Sequence, residues 1–443
     1  MAHGPAVTGM RFFLTCDPGN VRHIFSSNYT NYPKGTVFAE IFDVLAGSFF
    51  TIDGEPIRRM RAKIHGILSN PRLLATMASC CLHKLRQGLL PFLIRMATTG
   101  APFDLQDVIT RFVFDITSMP LFSVDPGFLS PDDMPAMHVV DAMDTVMEVA
   151  LFRHTVLASC WKAMRWLKVG SERKLAAEQA VLYGFIAEMM EARKATRNSG
   201  DAGEQKDQVA PDILSFYVDD PDYNEHLLRS TIVNYLVAGR DTIDSTLPWF
   251  FYNVAMNPHV VSGIREELAP IVASGKASPT NGDDTTVIFH AEDTKPLVYL
   301  QAALFESLRL YPPGPIERKT VVSDDVMPSG DEVRAGDIVL ISLYAMGRME
   351  GVWGKDCREY RPERWLSDDG RKLCYVPSHK FLAFNSGSRM CLGKDIAIMQ
   401  MKTFAASVVW NFDVEVLEGQ TVEPKLSCIL QMKNGLMVKV KKR

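Results

Sequence analysis

The chain lacks several features that would assign it to a common class of protein. No apolar run of about 18 or more residues occurs among its 443 residues, so neither a membrane-spanning helix nor a signal peptide of the usual design is expected. Its eight cysteines are sparse and form no Cys-x-x-Cys pair, which argues against a disulfide framework or a zinc site and fits a reducing compartment. The formal net charge of −4 lacks the basic excess of a nucleic-acid-binding protein, so no nucleic-acid partner is expected.

Sequence fingerprints for bound nucleotides are missing as well. The chain contains neither GxGxxG nor GxxxxGK[ST], so it is not expected to bind its own nicotinamide cofactor or ATP. Any electrons that its chemistry needs must therefore come from a partner. We also find no internal repeat.

The residues that are present describe an ordinary globular protein. They are 47% hydrophobic and 23% charged, which is enough apolar material for a large core. Two stretches, 195–211 and 274–293, are rich in Gly, Asp, Ser, Thr and Lys and are predicted to be surface loops. Neither separates one part of the chain from another, so residues 1–443 are expected to form a single domain.

Most of the chain has the apolar spacing of helices. A strand is predicted around Phe13, and a helix start follows, with Asp17 as the capping residue and Pro18 at the first helical position. Apolar residues recurring three and four positions apart predict further helices over 55–67, 104–124, 161–193 (as a pair) and 227–257.

One cysteine differs from the others in its surroundings. Cys391 lies between Gly387 and Gly393, immediately before a helical pattern that begins around Gly393. A thiolate there would be stabilised by the helix N-terminus, and the glycines would let the backbone approach a flat cofactor. Arg389 adds a cation suited to a carboxylate group. An inert buried thiol is the alternative for any isolated cysteine.

The order Phe-x-x-Gly-x-Arg-x-Cys-x-Gly, which runs from Phe384 to Gly393, resembles the haem-binding loop of the cytochrome P-450 superfamily, the haem-thiolate monooxygenases. The resemblance implies a mainly α fold with a smaller β-rich lobe near the N-terminus. It also implies haem b as the cofactor, with Cys391 as the axial ligand of the iron. The other residues that it assigns to the haem are Arg389, Arg61, Arg318, Phe384 and Gly393.

The helix that carries Arg61 departs from the family pattern. That pattern is Trp-x-x-x-Arg, and this chain has Ile57 at the tryptophan position while keeping Arg61. The change removes an indole N–H donor, so weaker anchoring of a haem propionate is expected on this side.

The middle of the longest predicted helix reads Ala238-Gly239-Arg240-Asp241-Thr242. Gly239 costs about 1 kcal/mol relative to alanine in a helix, which suggests that something approaches the backbone closely. Thr242 can donate back to the carbonyl of Ala238 and open the helix locally. Taken alone, the pattern also fits a flexible spot in a core helix with a surface acid.

Beside the cysteine loop, the same segment resembles the oxygen-activation motif of the family. The resemblance implies that Thr242 holds a water molecule at the oxygen-binding face and that Asp241 relays protons. Ala238 and Gly239 would border the substrate, together with Pro315 and Ile316. Ile243 and Asp244 stand where hydroxyl residues are usual, and Pro248 should kink the helix near Asp244, so an altered pocket shape is expected.

Glu306 and Arg309 are spaced for a pair on one helical face. With Arg364, in the stretch Arg361-Pro362-Glu363-Arg364, they resemble the Glu-x-x-Arg and Pro-Glu-Arg elements of the family. The resemblance implies a buried structural cluster near the haem loop, in which the loss of one member would leave an uncompensated charge.

Within the superfamily, the strongest resemblance is to the plant long-chain alkane and fatty-acid hydroxylases. It implies hydroxylation of a long apolar molecule with O₂ and with electrons from NADPH through a flavoprotein reductase. The segments that carry this resemblance are 103–114, 347–349, 352–354, 383–387 and 400–402.

Three alternatives remain open. Oxidative phenol coupling of an alkaloid-like aromatic is one. A haem isomerase or dehydratase that needs no reductase is another, although the retained Asp241-Thr242 pair speaks against it. The third is a non-catalytic remnant that holds haem loosely.

Microsomal relatives begin with a membrane anchor and a proline-rich hinge, whereas this chain opens at Met1-Ala-His-Gly-Pro. We expect that its anchor and hinge are absent. The full-length protein is expected to associate with the cytosolic face of the endoplasmic reticulum membrane.

Overall fold

The computed structural model of the protein describes residues 2–3, 11–199, 211–275, 278–280 and 283–443. Helices dominate this part of the chain, as the sequence predicted. In chain order, the α-helices are α1 Pro18–Arg22, α2 Thr36–Ile41, α3 Gly54–Leu68, α4 Pro71–Lys84, α5 Leu90–Thr99, α6 Leu105–Phe122, α7 His138–Thr155, α8 Ala158–Leu167, α9 Gly170–Ser199, α10 Glu225–Met256, α11 Pro258–Ala273, α12 Ala291–Thr294, α13 Val298–Leu310, α14 Leu343–Met346, α15 Glu350–Trp353 and α16 Lys394–Asn411.

The described strands form four small sheets. In chain order, the strands are β1 Ala2–His3, β2 Arg11–Thr15, β3 Phe103–Asp104, β4 Ser278–Thr280, β5 Asp283–Ile288, β6 Ile316–Thr320, β7 Asp325–Val326, β8 Glu332–Val333, β9 Ile338–Ser342, β10 Phe412–Val416 and β11 Met437–Lys442.

The β-rich lobe is assembled from two distant parts of the sequence. Its sheet has the order β1-β2-β9-β6, with β2 parallel to β9 and β6 antiparallel to β9. The N-terminal strand was predicted, but the strands that complete the lobe come from residues 316–342. A second sheet, β10-β11-β3, is antiparallel and brings the C-terminus beside the start of α6.

Side-chain caps fix where several helices begin. Asp17 accepts the N–H of Asn20 at 2.9 Å with Pro18 in the first turn, as the sequence predicted. Asp104 accepts the N–H of Gln106 in the same way at the start of α6, also at 2.9 Å. These caps satisfy backbone donors that have no partner within the helix.

The long helix α10 crosses the middle of the molecule and packs along α6. A Cβ at Gly239 would lie 2.7 Å from the Cγ2 atom of Thr117 on α6, so a side chain there would require Thr117 or the backbone to move. The close neighbour that the sequence predicted for this glycine is therefore a neighbouring helix. Buried apolar side chains surround α10 on both sides of this crossing, in one cluster with α6, α13 and α16 and in another with α2, α7 and α9.

The two predicted surface loops have different outcomes. In the first, α9 continues to Ser199, residues 200–210 lie outside the described residues, and Pro211 follows in an irregular segment. In the second, the prediction was wrong over most of its described length, since β4 and β5 pair as a hairpin and α12 follows. The backbone N–H of Val287 in β5 donates to Asn411 on α16, and this tertiary contact holds a polar strand that its composition did not predict.

No helix among the described residues combines the length and the apolar character needed to cross a membrane.

Candidate active site

One internal cavity of about 720 Å³ lies between α10 and the loop that precedes α16. The sequence analysis assigned residues to the haem, the oxygen site and the substrate, and all of them line this cavity. They are Arg61, Ala238, Gly239, Asp241, Thr242, Pro315, Ile316, Arg318, Phe384, Arg389, Cys391 and Gly393. Residues more than 300 positions apart in the chain thus meet around one cavity.

The loop that presents Cys391 is shaped by its own backbone. A 3₁₀ turn covers Gly387–Arg389, and the N–H of Cys391 donates to the carbonyl of Phe384 at 2.8 Å. Gly387 has a φ of +58°, and a Cβ there would overlap the carbonyl oxygen of Phe25. The sequence attributed Gly387 to close approach of a cofactor, but its neighbour is the backbone of residue 25.

The Cys391 thiol faces the cavity near the start of α16. The residue is exposed by surface area, yet burial raises the pKa of its thiol, because the surface that it shows is internal. The N–H of Gly393, which caps α16, and the charge of Arg61 act in the opposite direction and lower that pKa. These donors favour an anionic sulfur, which is the form that ligates a metal.

Three arginines predicted to hold carboxylate groups reach the same cavity, but their partners differ. Arg389 donates to Asp53 at 2.5 Å, so its charge is compensated within the protein. Arg61 donates to the carbonyl of Met390 at 2.5 Å. Arg318 is 7% exposed, its guanidinium forms no hydrogen bond or ion pair with the described residues, and burial lowers its pKa to about 10.

Thr242 and Gly239 lie on the α10 side of the cavity, as Cys391 lies on the loop side. The Thr242 hydroxyl donates to the carbonyl of Ala238 at 3.2 Å, which is the bond that the sequence predicted. Thr246 repeats the arrangement one turn later and donates to the carbonyl of Thr242 at 2.7 Å. The Thr242 hydroxyl therefore keeps its lone pairs for a donor in the cavity.

Asp241 lies beside Thr242 but is almost completely buried, so the alternative of a surface acid is wrong. Its Oδ1 atom accepts from Arg240 at 3.0 Å, while its Oδ2 atom is buried without a hydrogen-bond donor among the described residues. Burial raises the pKa of Asp241 to about 7, against the lowering effect of Arg240. Arg240 in turn pairs at 2.7 Å with Asp144, whose side chain is 21% exposed, and so connects Asp241 toward the surface.

The predicted structural cluster forms outside the cavity. Arg309 makes two hydrogen bonds of 2.7 Å to the two oxygens of Glu306, and Arg364 adds one of 2.8 Å. The indole of Trp365 and the backbone N–H of Arg361 complete the shell of Glu306, each at 2.9 Å. All three predicted side chains meet, and their structural role stays a prediction.

Two further residues of the cavity region were missed or underestimated. Asp53, interpreted from the sequence only as part of a turn, accepts from the N–H groups of Lys34 and Gly35 as well as from Arg389. Lys34 lines the cavity and was not singled out. It contacts the nearby aromatic residues Phe38 and Phe50, but the sequence gives no sign that this lysine is buried, so no signal pointed to it. Ile57 is buried on α3 and does not line the cavity.

The residues present fit a haem group. A thiol lies at one wall of the cavity, and the buried guanidinium of Arg318, which has no partner in the described part of the chain, suits a propionate. Apolar side chains such as Phe384 and Leu392 supply the contacts that a porphyrin needs. Cys391 would hold the iron, and Arg318, Arg61 and Arg389 would hold the propionates.

Comparisons with known proteins agree with this site. The family model described as Cytochrome P450 matches residues 16–440. Alkane hydroxylase MAH1 of Arabidopsis thaliana is 38% identical over 448 residues, covering 99% of this chain and 86% of that protein. Noroxomaritidine synthase 2 of Narcissus pseudonarcissus is 37% identical, with 99% and 84% covered, and Cytochrome P450 86B1 of Arabidopsis thaliana is 38% identical, with 98% and 78% covered. A thiolate loop facing Thr242 across one cavity and a family match over nearly the whole chain lead to one conclusion: the chain belongs to the cytochrome P450 family, and it is a haem b monooxygenase.

Proposed function

We propose that this enzyme hydroxylates a long aliphatic molecule, an alkane or a fatty acid. The observation that carries the proposal is the composition of the cavity wall away from Cys391. Side chains there are aromatic or aliphatic and include Phe38, Phe42, Phe49, Phe50, Ile64, Leu68, Met77, Met147, Trp161 and Ile213. Such a wall gains free energy by removing a hydrocarbon chain from water, about 0.8 kcal/mol per methylene.

Two ionisable groups of this wall, Arg153 and His154, do not offer a free charge to the cavity. Arg153 donates to Glu172 at 2.7 and 2.8 Å and to Asp43 at 2.8 Å, which uses its charge within the protein. Burial lowers the pKa of His154 to about 4, so its imidazole is neutral at physiological pH. The name of the relative that hydroxylates alkanes supports the same substrate class.

Haem, when bound, supplies the iron that activates O₂. We propose that the Thr242 hydroxyl orients a water molecule in the cavity and that Asp241 delivers protons from Oδ2. Both groups are adjacent on α10, and the raised pKa of Asp241, about 7, leaves it able to hold and release a proton near neutral pH. Gly239 and Ala238 have little or no side chain and so leave room for the substrate in the cavity. We propose that the substrate chain contacts them and also Pro315 and Ile316.

Enzymes of this family generally take electrons from an NADPH–cytochrome P450 reductase and use O₂. We propose that this chain does the same as a single domain. We also propose membrane association at the cytosolic face of the endoplasmic reticulum, as the resemblance to microsomal members implies.

Oxidative phenol coupling of an alkaloid-like aromatic is the second candidate. The chain is 37% identical to a noroxomaritidine synthase and 38% identical to the alkane hydroxylase, so sequence identity does not favour one relative over the other. The aromatic residues of the wall, Phe38, Phe42, Phe50 and Trp161, could also stack on an aromatic ring.

Lys34 allows the proposed aliphatic substrates to be separated into fatty acids and alkanes. Its Nζ atom donates to the carbonyl of Phe50 at 3.0 Å and lies 4.5 and 3.9 Å from the ring centres of Phe38 and Phe50. Burial lowers its pKa to about 7, and a substrate carboxylate would restore the charged form.

The experiment measures spin-state shifts and products with alkanes, fatty acids and phenols of matched size. Hydroxylated aliphatic products are expected, and turnover of phenols alone would reject the proposal. If fatty acids are substrates, Lys34→Met should weaken fatty-acid binding about tenfold or more while alkane binding is unchanged. Equal haem content in both proteins serves as the control, because Lys34 lies near Arg389 and Asp53.

A further inference from the structure

Asp244 is a buried carboxylate that the proposed chemistry does not use. It lies on α10 three residues after Asp241, at the position where the sequence departs from the hydroxyl residue usual in the family. Its side chain has no exposed surface. A residue of this kind needs partners, because an unpaired buried charge costs several kcal/mol.

Three elements supply those partners. Arg240 on α10 approaches its Oδ2 atom at 3.2 Å, Thr110 on α6 donates to its Oδ1 atom at 2.5 Å, and Gln431 near the C-terminus donates to Oδ2 at 3.0 Å. Asp244 is therefore held on both oxygens. Asp241 receives one contact, from Arg240 to Oδ1, and its Oδ2 atom has no donor among the described residues.

The cluster contains more negative than positive charge. Arg240 contacts Asp144, Asp241 and Asp244 within 3.2 Å. The other charged groups that face it are Lys425, which lies 3.5 Å from Asp144, Glu148 on α7, paired with Lys425 at 2.7 Å, and Lys174 on α9, 3.7 Å from Glu148. With all carboxylates ionised, the four acids exceed the three cations by one charge. Protonation of one carboxylate removes this excess charge and so avoids the free-energy cost of burying it.

The hydrogen bonds indicate which carboxylate takes the proton. Against the effect of burial, Arg240 and Lys425 lower the pKa of Asp144. Burial raises the pKa of Asp244, and hydrogen bonds or ion pairs from Arg240, Thr110 and Gln431 act against that rise on both of its oxygens. Asp241 has the fewest donors. We propose, building on the role given above to Asp241, that Asp244 is a positioning residue: by sharing Arg240 it leaves Oδ2 of Asp241 as the atom that carries the proton of the cluster.

Infrared spectroscopy of the haem-loaded protein tests this without any substrate turnover. The C=O stretch of a protonated carboxylic acid, assigned by its loss in Asp241→Asn, is followed across pH. In Asp244→Asn, which keeps the shape of the side chain and removes its charge, the band should titrate at a pH lower by about one unit or more. The pH at which product formed per NADPH declines should move in the same direction.

Asp212→Asn is the matched control. Asp212 is a buried aspartate paired with Arg193 at 2.7 Å in a separate cluster, so its loss should destabilise the protein without moving the Asp241 band. Should Asp244→Asn fold poorly, Asp244→Ser restores the type of residue usual in relatives and should give the same shift.

Two outcomes overturn the proposal: an Asp241 band that titrates at the same pH in both variants, or the absence of any protonated Asp241 below neutral pH in the unmodified protein. Absence of hydroxylated aliphatic products would instead reject the proposed substrate while leaving the infrared result intact.

Discussion

The two buried clusters built around Glu306 and around Arg240 both consist of arginine and carboxylate side chains, but they differ in the ratio of positive to negative charges. In the first, Glu306 accepts from Arg309 and Arg364, and Asp356 adds a second carboxylate beside Arg364 at 3.3 Å. The remaining guanidinium donors of Arg309 reach the backbone carbonyls of Gly347, Cys357 and Glu359.

In the second cluster, Arg240 forms ion pairs with three aspartates, Asp144, Asp241 and Asp244. Both the Nε atom of Arg240 and the Oδ2 atom of Asp241 are buried without a partner among the described residues. The balanced cluster lies outside the cavity and links residues distant in sequence, whereas the unbalanced cluster lies at the cavity wall. Satisfied groups rigidify a structure, and an unsatisfied carboxylate remains able to exchange a proton.

The largest expected effect comes from breaking the balanced cluster. Arg309→Met should lower the free energy of unfolding by about 3–5 kcal/mol, because Glu306 keeps its charge and several carbonyls lose their donor. Urea denaturation followed by circular dichroism measures this. Arg58→Met, which removes an exposed ion pair with Glu55, is the control and should cost less than about 1 kcal/mol. A similar small loss for both variants would mean that the Glu306 cluster is not structural.

A smaller and pH-dependent effect is expected when the unbalanced cluster loses its cation. Arg240→Met should lower the free energy of unfolding by about 1–2 kcal/mol near pH 5 and by more than about 3 kcal/mol near pH 8. The pKa of Asp241 is already raised in the folded protein, to about 7, and without Arg240 it rises further. The folded protein then binds protons that the unfolded chain has released, so stability falls as pH increases through this window.

Urea midpoints at the two pH values measure this difference, with Arg309→Met as the comparison. Glu306 retains Arg364 in that variant, so its pH dependence should be weaker. Equal pH dependence in the two variants would contradict the distinction between a balanced and an unbalanced cluster.

The smallest effect on stability is expected beside the unbalanced cluster, at Thr242. Thr242→Ala should leave haem content and unfolding nearly unchanged but reduce the product formed per NADPH several-fold, because the hydroxyl in the cavity is lost. Thr246→Ala removes a hydroxyl that makes the same type of bond one turn later and is the matched control. If both variants remain fully coupled, Thr242 has no part in the chemistry.

The site residues could be predicted because they occur in short patterns with fixed spacing. The loop from Phe384 to Gly393 and the segment from Ala238 to Thr242 are each contiguous, and the residues taken from them as haem, oxygen or substrate contacts line the cavity. Gly387 does not line it. The reasons given for two glycines were less accurate. Gly239 contacts Thr117, and Gly387 contacts the backbone of Phe25, so the neighbours that require glycine come from elsewhere in the chain.

Partners distant in sequence could not be predicted. Nothing near Arg389 indicates that Asp53 pairs with it, and nothing near Asp244 indicates Thr110 and Gln431. The hairpin of β4 and β5 was predicted to be a loop because its composition is polar, while its position is fixed by a hydrogen bond to Asn411.

The sequence by itself determined the helical character of the chain, the cysteine proposed to ligate the iron and the acid–alcohol pair on α10, because helix periodicity and contiguous motifs are local properties. The tertiary structure decided which charges are compensated. Arg389 and Arg318 are both arginines facing one cavity, yet folding brings a carboxylate to the first and none among the described residues to the second. Charge balance depends on distances of a few ångströms between residues far apart in the chain, and only the folded molecule sets those distances.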